Sequence, residues 1–383
     1  MRLLTPLLAL LSSLATAQAS EIVGIELEDG EVISGKLHLP SDVDRIEQVV
    51  IFVHGTGPNT YLNKRKFGPF EFNYYDMFGQ ELSARGIAMF AYNKRGVTIG
   101  TNPPMFEEID REKFKRVVPS VDVKDLEVMI GFLRADERLK QAKVVLLGWS
   151  EGTIIASMVA EKKENRIEAL LLAGYAHDNM ADIIKWQLSG KPSMSFMLAA
   201  FEQDADGKIS REEYESENAS ASQARMQFGD SPFDTVDFDG DGFVTTNDFK
   251  VQLDEYCQSI FDHIESGDED WIWNNYFHVS LEWLVEHFDL EPNKQRLLRL
   301  DLPIYVFHGE ADSNVPASGV RDLMARFAKA GKTNLHPFFF EAHAHDLNFL
   351  QWVTEKKQSA GVLKIFEVAE SLDAPAKPAQ PEK

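Results

Sequence analysis

Cysteine is almost missing from this chain: Cys257 is the only one among 383 residues. No internal disulfide can form, so the fold must rest on an apolar core, and Cys257 is expected to be a small buried hydrophobe. Basic residues are also scarce, with 39 Lys and Arg against 61 Asp and Glu and a formal charge of −22. Such a surface repels nucleic acid and anionic membranes, and it suits solubility or cation binding. No apolar run is long enough to span a bilayer. The nearest candidate, residues 3–14, is too short. With Arg2 before it and Ala17-Gln18-Ala19 after it, that stretch reads as a secretory signal peptide over residues 1–19. Cleavage near Ala19 would start the mature chain at Ser20, secreted or periplasmic.

What is present is patterned. Residues 22–27 and 32–39 alternate around Asp29-Gly30, a hairpin signal. After it, apolar runs at residues 49–53, 87–92, 144–147, 169–173, 304–307 and 335–340 alternate with helical stretches such as 75–85, 121–133 and 153–162. This predicts an α/β fold, a mostly parallel sheet with helices on both faces. A ligand site is then expected beyond the carboxyl ends of the strands.

The alternation stops between about residues 178 and 303, too long a stretch for a simple crossover. Residues 200–270 carry 20 acidic and 4 basic side chains, so they hold 16 of the 22 net negative charges. The expected plan is a core in two parts, 20–178 and 290–368, an inserted helical domain over 179–289, and a disordered Pro/Ala-rich tail over 369–383.

Two twelve-residue windows in the insertion, 202–213 and 237–248, fit the EF-hand calcium loop. Ligand positions 1, 3, 5, 7, 9 and 12 fall on Glu202, Asp204, Asp206, Lys208 (by its carbonyl), Ser210 and Glu213 in the first. In the second they fall on Asp237, Asp239, Asp241, Phe243 (by its carbonyl), Thr245 and Asp248. Gly207 and Gly242 make the bend at position 6, and Ile209 and Val244 at position 8 are expected to pair between loops. Glu202 at position 1 crowds an ion, and Asp248 at position 12 is short for bidentate ligation. Weak calcium sites are therefore expected, filled outside the cytoplasm and structural in role.

Residues 148–152 read Gly148-Trp149-Ser150-Glu151-Gly152, directly after the apolar run 144–147 and before a helical stretch. A strand feeding a sharp turn with serine at its apex exposes the hydroxyl, and the following helix N-terminus stabilises an oxyanion. Further motifs are His54-Gly55-Thr56-Gly57-Pro58, Asn93-Lys94-Arg95-Gly96, His308-Gly309-Glu310-Ala311-Asp312 with Val315-Pro316, and His343-Ala344-His345-Asp346-Leu347. In this set and order the chain resembles the α/β-hydrolase superfamily, nearest to its secreted esterase-like and serine aminopeptidase-like members. The resemblance covers residues 22–178 and 290–367.

The resemblance implies Ser150 as nucleophile, His345 as base with His343 as rival, and Asp312 as the acid that orients it. Glu310 and Asp301 are weaker candidates for that acid. It implies an oxyanion hole from the backbone N–H of Glu151 and of Thr56, with Gly57 the alternative to Thr56. His54 and Arg95 are expected to be structural. The resemblance also implies that the EF-hand-containing insertion over 179–289 covers the site as a lid domain. Its aromatics Trp271, Trp273, Tyr276, Phe277 and Trp283 either line an acyl pocket or pack the lid onto the core.

The expected function is hydrolysis of an ester-type acyl bond of a small-molecule substrate, with calcium as the only cofactor and no nucleic-acid partner. An aminopeptidase or thioesterase of the same fold is the nearest alternative, and an inactive calcium-binding or partner-binding scaffold the more distant one.

Overall fold

The computed structural model describes residues 19–41, 45–218, 221–222, 224–225 and 230–373. The expected signal peptide up to residue 18 and the tail from residue 374 lie outside the described residues.

Eight strands build the main sheet: β1 (Ala19–Glu26), β2 (Val32–Leu39), β3 (Gln48–Val53), β4 (Ala88–Tyr92), β5 (Lys143–Trp149), β6 (Ile167–Ala173), β7 (Ile304–Gly309) and β8 (Leu335–Phe340). Their order is β1-β2-β4-β3-β5-β6-β7-β8. The β1–β2 hairpin joins antiparallel at the β4 edge, and every pair from β4 to β8 is parallel. The parallel strands β3, β5 and β6 are apolar almost throughout because both faces are covered.

The helices used below are α1 (Tyr74–Ala84), α2 (Pro119–Ala135), α3 (Gly152–Glu161), α4 (Met180–Gln187), α5 (Lys191–Phe201), α6 (Thr246–Ser266), α7 (Glu269–Asn275), α8 (Leu281–Asp289), α9 (Ala317–Lys329) and α10 (Ala360–Asp373). Alternate strand residues divide the core. Val49, Ile51, Val144, Leu146, Leu170 and Leu172 meet α2, α3 and α9 on one face. Val50, Phe52, Val145, Leu147 and Leu171 meet Phe78 and Leu82 of α1 and Ile365 and Phe366 of α10 on the other. Because α10 runs to Asp373 with Ala369 buried, residues 369–373 are helical and not part of a disordered tail.

Residues 174–303 separate β6 from β7, although these strands are hydrogen-bonded neighbours. The helices in that stretch pack in two groups. Ile183 and Ile184 of α4, Ile260 of α6, Ile272 of α7 and Trp283 and Leu284 of α8 sit against core residues Val118, Ile154 and Val315. Met197 and Phe201 of α5, Ile209, Phe233, Val244 and Phe249 form a separate small core. Cys257 is half-buried on α6, not fully buried as expected, since much of that helix faces solvent. Among the described residues no helix is long and apolar enough to cross a membrane.

Candidate active site

The turn after β5 is forced by its two glycines. A Cβ at Gly148 would lie 2.5 Å from the Gly152 carbonyl oxygen, and one at Gly152 would lie 2.2 Å from the Val53 carbonyl oxygen. Between them Ser150 holds φ at 57°, a left-handed backbone that costs a side-chain-bearing residue energy. Its carbonyl accepts hydrogen bonds from the Thr153 N–H at 2.9 Å and the Thr153 hydroxyl at 2.7 Å. In a trans peptide the C=O and N–H point opposite ways, so the Glu151 N–H faces away from Thr153.

Ser150 opens on a cavity of about 270 Å³ whose walls include Thr56, Trp149, Tyr276, Phe277 and His345. Tyr276 and Phe277 therefore line this cavity, while Trp273 and Trp283 are buried in packing and Trp271 stacks on His263.

His345, on the loop after β8, donates from Nδ1 to Asp312 Oδ2 at 2.8 Å. That fixes the neutral tautomer and leaves Nε2 as a lone pair. Among the described residues Nε2 is buried without a hydrogen-bond partner. Asp312, on the loop after β7, accepts on Oδ1 from the Asn314 and Val315 N–H groups at 2.8 and 3.0 Å. Burial pushes the Asp312 carboxyl up, but His345 and these hydrogen bonds outweigh it and hold the group below its ordinary range.

The rivals stand elsewhere. His343 turns to the Glu341 carbonyl at 2.9 Å and the Gly361 N–H at 3.4 Å. Glu310 pairs with Arg321 at 2.7 Å and Asp301 with Lys332 at 3.0 Å. His54 is fully buried, with Nε2 on the Tyr92 carbonyl at 2.7 Å and Nδ1 on the Tyr75 hydroxyl at 2.9 Å. Burial pushes its pKa down to about 3, so it stays neutral and structural. Arg95 grips Asp125 through two hydrogen bonds of 2.5 and 2.6 Å and reaches Asp29 at 2.6 Å.

One group of residues escaped sequence reasoning. The Glu151 side chain is buried, and its Oε1 accepts from Trp283 Nε1 and His287 Nε2 of α8, each at 2.8 Å. Its Oε2 lies 3.7 Å from the buried Lys94 ammonium, which also pairs with Asp122 at 3.3 Å and donates to the Gly55 carbonyl at 3.1 Å. Burial opposes the Glu151 charge, yet Lys94, His287 and Trp283 pull its pKa down to about 2. Asp122 is pushed up to about 6, mainly by burial. The one signal in the sequence was a carboxylate between the apolar run 144–147 and the largely apolar helical stretch that follows.

The two acidic windows also take regular shapes. Carboxylate oxygens of Glu202, Asp204 and Asp206 lie within 4.8 Å of one another, as do those of Asp237, Asp239 and Asp248. Both groups could hold a divalent ion. Asp241 is not in the second group, and Glu213 is not in the first: Glu213 accepts from the Gln203 and Ser210 N–H groups, both at 2.8 Å. The hydrogen-bond scheme nonetheless repeats between windows. Glu202 accepts from the Gly207 N–H at 2.6 Å as Asp237 does from Gly242 at 3.0 Å. Asp248 accepts from the Phe238 and Thr245 N–H groups at 2.8 and 2.7 Å, the counterpart of Glu213. Ile209 and Val244 are cross-strand partners in a two-stranded ladder, as expected.

Comparison with known proteins agrees with the architecture. The family model described as alpha/beta hydrolase fold matches residues 48–207. The chain has the α/β-hydrolase fold. A highly thermostable carboxyl esterase from Bacillus coagulans is 13% identical, with 93% of this chain and 99% of that one covered and a TM-score of 0.51. A puromycin-hydrolyzing peptidase from Mycobacterium tuberculosis is also 13% identical, covering 93% of this chain and 39% of its own, with a TM-score of 0.50. At such identities the likeness is one of fold. No curated protein sequence matches the chain. Within the hydrolase fold, Thr56 stands on the loop after β3, Ser150 and Glu151 on the β5 turn, Asp312 on the loop after β7 and His345 on the loop after β8.

Proposed function

We propose that the protein is a serine hydrolase of carboxylic esters, exported by the sequence at its N-terminus and covered by a calcium-stabilised lid. The observation that carries this reading is the His345–Asp312 pair beside a cavity that Ser150 also lines. Ser150 Oγ attacks the ester carbonyl while His345 Nε2 takes its proton. The imidazolium, steadied by Asp312, returns that proton to the departing alcohol. Water, deprotonated by His345, then attacks the acyl-enzyme, releases the carboxylic acid and restores Ser150. The N–H groups of Glu151 and Thr56 would hold the negative oxygen of each tetrahedral intermediate.

The cavity favours a neutral substrate. Among the described residues its only carboxylate is Glu151, which is already committed to Trp283, His287 and Lys94. An aminopeptidase needs a free acid for the substrate amine, so the ester reading is preferred. Thioester cleavage uses the same groups and is separated by a panel of esters, thioesters and aminoacyl amides.

Residues 179–289 act in this reading as the lid domain, with an EF-hand pair inside it. Calcium would be held by Glu202, Asp204 and Asp206 in one loop and by Asp237, Asp239 and Asp248 in the other. When bound it would neutralise crowded carboxylates and rigidify the lid. Acyl transfer as written uses only side chains and backbone of the core.

The deciding experiment is Ser150→Ala assayed on a short p-nitrophenyl ester, together with fluorophosphonate labelling of the parent. Loss of turnover and labelling confined to Ser150 are expected. Undiminished hydrolysis by the variant would remove the mechanism.

A further inference from the structure

The loop after β3 lies directly against the β5 turn: a Cβ at Gly55 would sit 3.3 Å from Ser150 Cβ and 3.2 Å from the Trp149 carbonyl oxygen. The Gly55–Thr56 peptide bond is trans. Its carbonyl accepts from Lys94 Nζ at 3.1 Å, with a longer contact of 3.4 Å from the Asn59 amide. A trans peptide is planar with C=O and N–H opposed, so whatever holds the Gly55 carbonyl also aims the Thr56 N–H. Among the described residues neither that N–H nor the Glu151 N–H has a protein acceptor.

We propose that Lys94 is a positioning residue for the oxyanion hole, fixing the Thr56 donor through the Gly55 carbonyl and tying it to the Glu151 side. This rests on the serine-hydrolase reading above. The buried ammonium donates to the Gly55 carbonyl at 3.1 Å and is held in place by two carboxylates, Asp122 at 3.3 Å and Glu151 at 3.7 Å, as ion-pair contacts. A buried cluster of this kind is a poor source of stability, since apolar residues of equal volume would serve the core as well or better. What an apolar residue cannot supply is a rigid donor on the loop opposite Ser150. The cluster also reaches the inserted helices, because Trp283 and His287 hold the far side of the Glu151 carboxylate. Seating of α8 is thereby linked to the geometry of both donors.

The test compares Lys94→Met with the double variant Lys94→Met/Glu151→Gln, in which the lost cation is balanced by a lost anion. Both are expected to lower kcat on a p-nitrophenyl ester about 10- to 100-fold with KM changed less than about threefold, since full loss of one oxyanion donor costs about 100- to 1000-fold. Inhibition by a trifluoromethyl ketone, which presents an oxyanion, should weaken by the same factor. The double variant should regain thermal stability relative to the single one without regaining kcat. Return of its kcat to within about threefold of the parent would show that Lys94 only balances charge and would overturn the proposal. Should neither variant fold, a crystal structure of the parent bound to the ketone decides. The adduct oxygen within about 3 Å of the Thr56 and Glu151 nitrogens, with Lys94 still on the Gly55 carbonyl, supports it. An oxygen held elsewhere, or Lys94 away from Gly55, overturns it. A parent enzyme that is neither active nor labelled at Ser150 overturns the hydrolase reading itself and the proposal with it.

Discussion

His345 and Asp312 stand on loops after neighbouring strands, 33 residues apart in sequence, with Nδ1 2.8 Å from Oδ2. The Asn314 and Val315 N–H groups hold the other Asp312 oxygen, so the carboxylate is fixed before the imidazole meets it. Asp312→Asn should keep the fold and lose about 10⁴-fold in kcat on esters, because the amide selects the wrong tautomer. Steady-state kinetics with matched thermal melts checks this; a loss under tenfold would count against the pairing.

His345→Ala should cost a similar factor, whereas His343→Ala should stay within about threefold of the parent. The reason is positional: His343 is occupied by the Glu341 carbonyl and the Gly361 N–H, away from the cavity walls. Parallel kinetics of the two variants decides between the histidines.

Gly152→Ala is expected to be more damaging than its one added carbon suggests. Its Cβ would meet the Val53 and His54 carbonyl oxygens at 2.2 and 2.6 Å, and backbone on both sides resists yielding. A loss of about 2 kcal/mol or more in denaturant titration is expected, with impaired turnover, since overpacking of this kind costs about 1–3 kcal/mol.

The buried Glu151 carboxylate predicts a pH-dependent stability difference. Its pKa is pulled down to about 2 in the folded chain, against an ordinary value of 4.5. The folded state thus binds fewer protons than the unfolded one in that window, so the stabilisation is complete above pH 4.5 and is lost as pH falls toward 2. Glu151→Gln should be less stable than the parent at pH 7, by about 1–3 kcal/mol. The gap should close on acidification, as followed by chemical denaturation at a series of pH values. A gap independent of pH would contradict the ionised, paired state.

Calcium should raise the melting temperature, and a chelator should lower it, with affinities between about micromolar and millimolar. Asp204→Ala and Asp239→Ala should each remove one site in isothermal titration. No heat of binding up to several millimolar calcium would reject the assignment of both loops. Chelation should reduce turnover only as stability falls; an intact melting temperature with lost activity would contradict that separation.

The strands were readable because a parallel sheet buried on both faces needs uninterrupted apolar runs, as in residues 144–147 and 169–173. The β5 turn was readable because only glycine tolerates positions 148 and 152, and the pairing of Ile209 with Val244 because loop position 8 repeats. Local rules reached no further. They placed residues 369–373 in a tail, where the apolar face of α10 continues the helix. They left His343 and His345 open, since two residues apart on one loop either ring is available.

Backbone conformation and apolar periodicity act over a few residues, so sequence alone determined the order of strands and helices, the tight serine turn and the acidic loops. Convergence acts across the folded chain, so the tertiary structure alone decided which histidine meets Asp312, which aromatics of the inserted stretch face the cavity, and that Lys94, Glu151 and His287 share one buried site. A buried charge is tolerable only beside its partners, and those partners lie 136 residues apart in the case of Glu151 and His287.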